Sequence, residues 1–290
     1  MTVASAGTPA GTPAGTAARG TVDDTDFGLN TMIGEACLFL GAGSTVLLQL
    51  AEPGVGHGVA DHSTVLRRPL DRLRTTMSYV YAVTLGSEDD RKHIVRTTNK
   101  AHVPIRSATY NAFDPELQLW VAGTLYRNGA TLYRRFFGEL TDAQADALYR
   151  DSAVFGTALQ VKPDMWPATR AEFDAYWDRK LDELSCDDQV RRFVHALLRG
   201  GDAPWYIKPG MPLNRLVTTG LLPERVRTDF ELPWGPGRQR AFDLLMTIMP
   251  PVYRLIPRPI RWLPAKYYLW DLRRRRRAGE GVARPRRACG

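Results

Sequence analysis

From about residue 27 onward the apolar residues of this chain recur at i, i+3 and i+4, and few β-branched runs alternate with period two. That spacing gathers apolar side chains into one stripe of a helix and cannot put them on one face of a strand. The chain must therefore bury itself by laying helical stripes against one another, which predicts an all-α fold. The periodicity predicts helices near 32–51, 54–61, 69–85, 88–102, 114–137, 141–158, 169–184, 187–199, 208–219, 236–249 and 260–276. Three starts carry local signals. Thr141 with Gln144 three residues on is a capping box, Asp114 before Pro115 is an N-cap followed by proline at the first helical position, and Thr169 precedes an amphipathic run.

At 290 residues and 44% hydrophobic content, the chain can build one large domain with a core wide enough to enclose a cofactor. Nothing divides the body in two; the loop richest in Pro and Gly, 200–212, sets a smaller helical part apart at the C-terminal side. The expected organisation is a disordered Gly/Thr/Pro/Ala-rich tail over 1–26, a helical domain over 27–272 and a basic disordered tail over 273–290. The N-terminal repeat has neither a basic start nor an apolar run, so it does not read as a signal peptide. No window reaches 18 uninterrupted apolar residues, and the nearest, ACLFLGAGSTVLLQLA, is short and rich in Gly, Ser and Thr. Cys37, Cys186 and Cys289 lie far apart with no CxxC pair, which predicts neither a disulfide framework nor a zinc site and fits a reducing setting. The expected location is cytoplasmic or peripheral to a membrane.

The formal charge of +8 is uneven. From Arg254 to Gly290 there are 12 Lys and Arg against 2 Asp and Glu, so this segment carries +10 and the rest of the chain −2. A near-neutral body argues against a nucleic-acid-binding domain, and no nucleic acid is expected as partner. Within the basic segment, Trp262, Tyr267, Tyr268 and Trp270 stand beside five consecutive arginines. Aromatic residues next to basic clusters suit the interface of an anionic membrane. They would also suit a nucleic-acid contact or a last core helix that ends in a solvated charge run.

Several residues could carry chemistry. His102 shares a helical stripe with Val95 and Asn99 and points inward at a helix C-terminus, as a core or capping histidine, as a neutral nitrogen donor or as a base of raised pKa. Arg72 begins a stripe that turns apolar, so it is either a solvated or carboxylate-paired surface group or the partner of a cofactor carboxylate. His57 lies among glycines, His62 beside Asp61, His93 beside two cations, and His195 in a packing position. No HExxH, P-loop, strand–helix GxGxxG or GxSxG is present.

Three blocks taken together, GEACLFLGAGSTVLLQLAEPGVGHGVADHSTVLRRPLDRLRTTMSYVYAVTLG, HVPIRSATYNAFDPELQLWVAGTLY and PDMWPATRAEFDAYWDRKL, resemble the MpaB-like oxygenases over about residues 32–270. That family includes the latex-clearing rubber oxygenases and the fungal oxygenase of mycophenolic acid biosynthesis. The resemblance implies globin-like helix packing around a buried haem b pocket. It also implies O2-dependent oxidation or C=C cleavage of a lipophilic, isoprenoid-type substrate. It further implies His102 as the iron ligand, Arg72 and Thr76 as distal-side catalytic and cofactor-binding residues, Arg72 pairing a propionate or stabilising bound oxygen, and Glu52 as a distal acid or base where many members have histidine. Thr75 stands where the rubber enzymes have lysine, so no distal lysine ligand is expected. The rival reading is a non-enzymatic haem- or lipid-binding helical protein at a membrane surface.

Overall fold

The computed structural model describes residues 27–62, 66, 68–200 and 204–279. The 1–26 tail and the stretch from 280 onward lie outside the described residues. Among the described residues fifteen α-helices follow one another: α1 (Leu29–Met32), α2 (Ala42–Leu50), α3 (Pro53–His62), α4 (Pro69–Leu85), α5 (Glu88–His102), α6 (Pro115–Phe137), α7 (Asp142–Ser152), α8 (Val154–Thr157), α9 (Arg170–Glu183), α10 (Asp188–Leu198), α11 (Met211–Gly220), α12 (Glu224–Asp229), α13 (Pro236–Arg254), α14 (Arg258–Arg261) and α15 (Leu263–Arg277). Among the described residues there is no β-strand, only an isolated bridge between Arg106 and Asn111.

The predicted caps form as the residue types require. Thr141 and Gln144 close a reciprocal capping box, Asp114 accepts from the Glu116 N–H with Pro115 following, and Thr169 accepts from the Glu172 N–H. A further capping box, Ser87 with Asp90, starts α5.

Several boundaries differ from the periodicity, among them the breaks between α7 and α8 and between α14 and α15. The expected helix over 32–51 breaks into α1, a 3-10 turn Ala36–Gly41 and α2. The Cys37 N–H there donates to the Tyr253 hydroxyl, 216 residues away, rather than continuing an α-helical ladder. The helix expected to stop at 249 runs through Pro250 and Pro251 to Arg254, with Pro250 buried. Each proline removes a donor, but the packed inner face of Phe242, Met246 and Pro250 holds the helix together. α12 has only six residues, too few for a periodic signal. Finally, α15 runs to Arg277, so the boundary expected at 273 falls inside a helix. Arg275 is 5% exposed, paired with Asp271.

α6, 23 residues and about 35 Å long, is the central helix. Trp120 on it is fully buried and its indole N–H donates to the Leu48 carbonyl of α2 (3.1 Å). Around it Tyr126, Tyr149, Trp166, Phe173 and Trp177 form a cluster of tilted and edge-to-face rings. The part after the 200–212 loop is not separate. Leu222, Val226, Phe230, Ala265 and Leu272 belong to the same core as Leu47 and Trp120.

α4 and α5 are joined only by Gly86 and Ser87 and pack against each other, so they run antiparallel. That hairpin brings the C-terminal turn of α5, with His102, beside the first turn of α4, with Arg72.

Candidate functional site

α2 and α4, with edges from α3, α6, α10 and α11, enclose a cavity of about 520 Å³. Its wall is mostly apolar, with Leu47, Val59, Leu73, Met77, Phe155 and Leu197 among its residues. The volume lies within the range of small-molecule and cofactor sites. No His, Cys, Asp or Glu lines it among the described residues.

Polar groups enter this wall at a few points. Thr45 donates to the Gly41 carbonyl (2.8 Å) and accepts from the Asn128 amide (2.9 Å), and Gln49 donates to Thr124 (2.9 Å). These bonds tie α2 to α6 and leave those groups satisfied. The sequence carried a signal for them: Thr45 and Gln49 are polar interruptions of an apolar run that a packing helix would not need.

Arg72 is the exception. Its guanidinium faces the cavity and makes no hydrogen bond or ion pair among the described residues. By solvent accessibility Arg72 is an exposed side chain, although the protein packed around it lowers its pKa from the ordinary arginine value. It stays a cation in any case. One turn on, Thr76 also reaches the wall, while Thr75 turns back to the Arg72 carbonyl.

His102 stands near enough for the Arg72 charge to act on it. Burial, then that charge, pull the imidazolium pKa from 6.5 to about 4, so the ring is neutral at pH 7 and is not the raised-pKa base that a helix C-terminus would favour. Its Nδ1 is enclosed with no hydrogen-bond partner among the described residues, and the ring meets Phe113 edge-on at 6.2 Å. The turn that carries it is fixed from the side: Asn99 accepts from Gln160 (3.1 Å), and Gln160 is bonded in turn to Gln118. His102 itself is not part of the cavity wall.

The remaining candidates are placed elsewhere. Glu52 pairs with Lys180 (3.3 Å) at the start of α3, off the cavity wall. His57 pairs with Asp187 (3.1 Å), His62 bonds the Tyr110 hydroxyl (2.9 Å), and His195 bonds the Phe230 carbonyl (2.8 Å). So the fold brings Arg72, Thr76 and His102 together at one end of the α4–α5 hairpin, and leaves Glu52 apart.

A haem b group would require a neutral nitrogen for its iron and a cation for its propionates. The donor types present fit that chemistry, a neutral imidazole near a guanidinium with no ion-pair partner among the described residues, with the imidazole set behind the cavity wall rather than on it. Among the described residues no cluster of three or more His, Cys, Asp or Glu could hold a bare metal ion. No single described helix is long and apolar enough to cross a membrane. The pair Ala36–Leu50 and Pro53–His62 is, by length and composition, but it bends by 106°, and Leu47, Leu48 and Leu50 are buried in the core.

The family model described as ER-bound oxygenase mpaB/B'/rubber oxygenase, catalytic domain, matches residues 31–250. Uncharacterized proteins of Mycobacterium bovis and Mycobacterium tuberculosis are each 40% identical over 249 residues, covering 82% of this chain and 98% of theirs. No solved structure matches.

Proposed function

The chain belongs to the mpaB/rubber oxygenase catalytic-domain family, and from that premise we propose that it is a haem b-dependent oxygenase. Its substrate would be lipophilic, of isoprenoid type, oxidised or cleaved at a C=C bond with O2. The observation that carries this reading is the unpaired Arg72 guanidinium on an apolar cavity, with a neutral His102 beside it.

In this reading His102 supplies the nitrogen donor to iron, and its low pKa keeps protons from competing for that lone pair at neutral pH. Arg72 pairs a propionate, which gives a counter-charge to a guanidinium that has none among the described residues. Thr76 offers a hydroxyl at the same wall. The leucines and valines around it exclude water and accept an apolar chain. Haem, when bound, supplies the redox iron that O2 chemistry requires. Glu52, held by Lys180, has no part in this arrangement.

The test is an absorption spectrum of the purified protein, oxidised and reduced, with a pyridine haemochrome assay. A Soret band at near-stoichiometric haem b that is lost in His102→Ala supports the assignment. His102→Ala protein that keeps full haem overturns it. Oxygen consumption with polyisoprenoid substrates then tests turnover.

A second reading has its own observation. Among the described residues the cavity wall offers no His, Cys or carboxylate, and Arg72 is its one charged side chain. A lipid anion held without turnover would suit that wall. Haem-free protein that co-purifies with an extractable fatty acid or other anionic lipid would favour it.

A further inference from the structure

Of the fourteen large hydrophobic side chains the described surface leaves exposed, nine lie between Leu244 and Trp270. They are Leu244, Ile248, Val252, Leu255, Ile256, Ile260, Leu263, Tyr267 and Trp270. On α13, Leu244, Ile248 and Val252 share one face by their i, i+4, i+8 spacing, and the C-cap Leu255, still in the helical region, continues it at i+11. On α15, Leu263, Tyr267 and Trp270 do the same at i, i+4, i+7. The stretch LLMTIMPPVYRLIPRPIRWLPAKYYLW, 244–270, contains Arg254, Arg258, Arg261 and Lys266 and no acidic residue.

This is not a loose segment with greasy side chains. Its inner face is fastened to the body. Phe242, Met246, Ala265 and Leu272 are buried, and Glu35, 3% exposed, accepts from the Tyr253 hydroxyl (2.9 Å) and the Trp262 indole (3.0 Å). The outer face is therefore a rigid apolar ridge that the fold leaves uncovered, next to a shallow apolar groove between Phe39, Leu263, Pro264 and Tyr267. Exposed apolar surface of this extent marks an interaction site.

We infer that the α13–α15 ridge docks on the surface of an anionic lipid bilayer. Charge complementarity selects this occupant. Leu, Ile and Val enter the acyl boundary, Tyr267 and Trp270 sit at headgroup depth, and Arg254, Arg258 and Lys266 meet lipid phosphates. Arg274 lies over the Trp270 ring at 5.5 Å, which keeps a cation at the same level. A second copy is a poorer occupant. A two-fold contact through this ridge would set its cations against themselves with no acid to pair them.

The experiment is vesicle flotation of the full chain on phosphatidylcholine alone and on phosphatidylcholine with 30% phosphatidylserine, a vesicle composition chosen for the assay. Binding is expected on the mixed vesicles and falls with salt. The triple variant Arg254→Gln, Arg258→Gln, Lys266→Gln should lose about 100-fold in partition, taking about 1 kcal/mol per cation. Leu244→Ser with Ile248→Ser and Leu255→Ser should lose binding to both compositions. All six positions are exposed, and unchanged far-UV circular dichroism checks that the variants fold. Equal binding to both compositions, or no binding to either, overturns the inference. So does a dimer in light scattering that the serine variant dissociates, which would make the ridge a contact between copies. None of these outcomes depends on haem or on turnover.

Discussion

Asp90 is fully buried at the first turn of α5, yet its two salt-bridge partners come from the last turns of α15: Arg273 Nε at 2.8 Å and Arg276 Nη1 at 3.3 Å. The two sides of this contact are unequal. The side chains of Arg273 and Arg276 are 43% and 32% exposed, while that of Asp90 is 0%. If Asp90→Asn removes the acid, both arginines can turn to water, and the cost is that of hydrogen bonds, about 1–2 kcal/mol. If Arg273→Met and Arg276→Met remove the cations, a buried carboxylate keeps only Ser87 as partner. An uncompensated buried charge costs about 3–5 kcal/mol, on the order of 10 °C in melting temperature. The pH dependence should differ in sign as well. In the wild type, burial raises the Asp90 pKa, but the bonds from Arg273 and Ser87 outweigh it and hold it below 3.8. The folded state then binds fewer protons than the unfolded one, so this stabilisation is present above 3.8 and lost as pH falls through the folded value. Without the arginines, burial prevails and the folded pKa rises above 3.8. The deficit of the double variant should then shrink as pH is lowered from about 7 toward that raised value. Thermal unfolding followed by far-UV circular dichroism at pH 7 and pH 4.5 measures both effects. The reasoning is refuted if Asp90→Asn is at least as damaging as the arginine pair, or if the deficit of the double variant does not change with pH.

Other expectations follow from single contacts. A Cβ on Gly43 would sit 2.1 Å from Thr218 Oγ1, where α2 crosses α11, so Gly43→Ala should cost about 1–3 kcal/mol. Adding Thr218→Ala should recover most of that in urea denaturation, because it removes both the clash and a buried hydroxyl without a partner. Burial, with Glu35 nearby, pushes the Cys37 thiol up to about 12. Iodoacetamide at pH 8 should therefore leave Cys37 unmodified in the native protein and label it after unfolding, as read by peptide mass mapping. Arg72→Met should change the melting temperature of ligand-free protein by no more than about 2 °C, as at an exposed position, while lowering haem or lipid retention at least tenfold.

How much of this was legible in the sequence depends on the range of the forces involved. The helices of the body were, because each is set by its own stripe and cap; Thr141, Asp114 and Thr169 cap where their types demand. The 3-10 turn at Ala36–Gly41 was not, because the Tyr253 hydroxyl that holds it comes from the far end of the chain. The arginine run at 273–277 was read as a disordered tail for the same reason. Locally it is a block of like charge, which repels. Only the fold reveals that Asp90, from a distant helix, and Asp271 lie buried and open to it. In the site, Arg72 and Thr76 share a wall because i, i+4 spacing dictates it. The pairing of Glu52 with Lys180 needed the packing of α9, which no local pattern announces.

The buried charges together give Arg72 its meaning. Glu35, Asp90 and Asp271 are each nearly or fully buried, and each has arginines within 3.5 Å. Where this fold encloses a charge to join its helices, it supplies the counter-charge. Arg72 breaks that pattern on a wall without a carboxylate, where a methionine or leucine would pack better. Protein packed around a cation that has no ion-pair partner among the described residues leaves a small cost, discounted by the exposure of the side chain. An anionic group entering the cavity would offset it, and by linkage that ligand must then stabilise the fold, by about 2.7 kcal/mol at a hundred times its dissociation constant. Whether the anion is a propionate or a lipid headgroup, the stabilisation should vanish in Arg72→Met. A ligand that protects the variant as well as the wild type would show that the cavity binds by apolar contact alone.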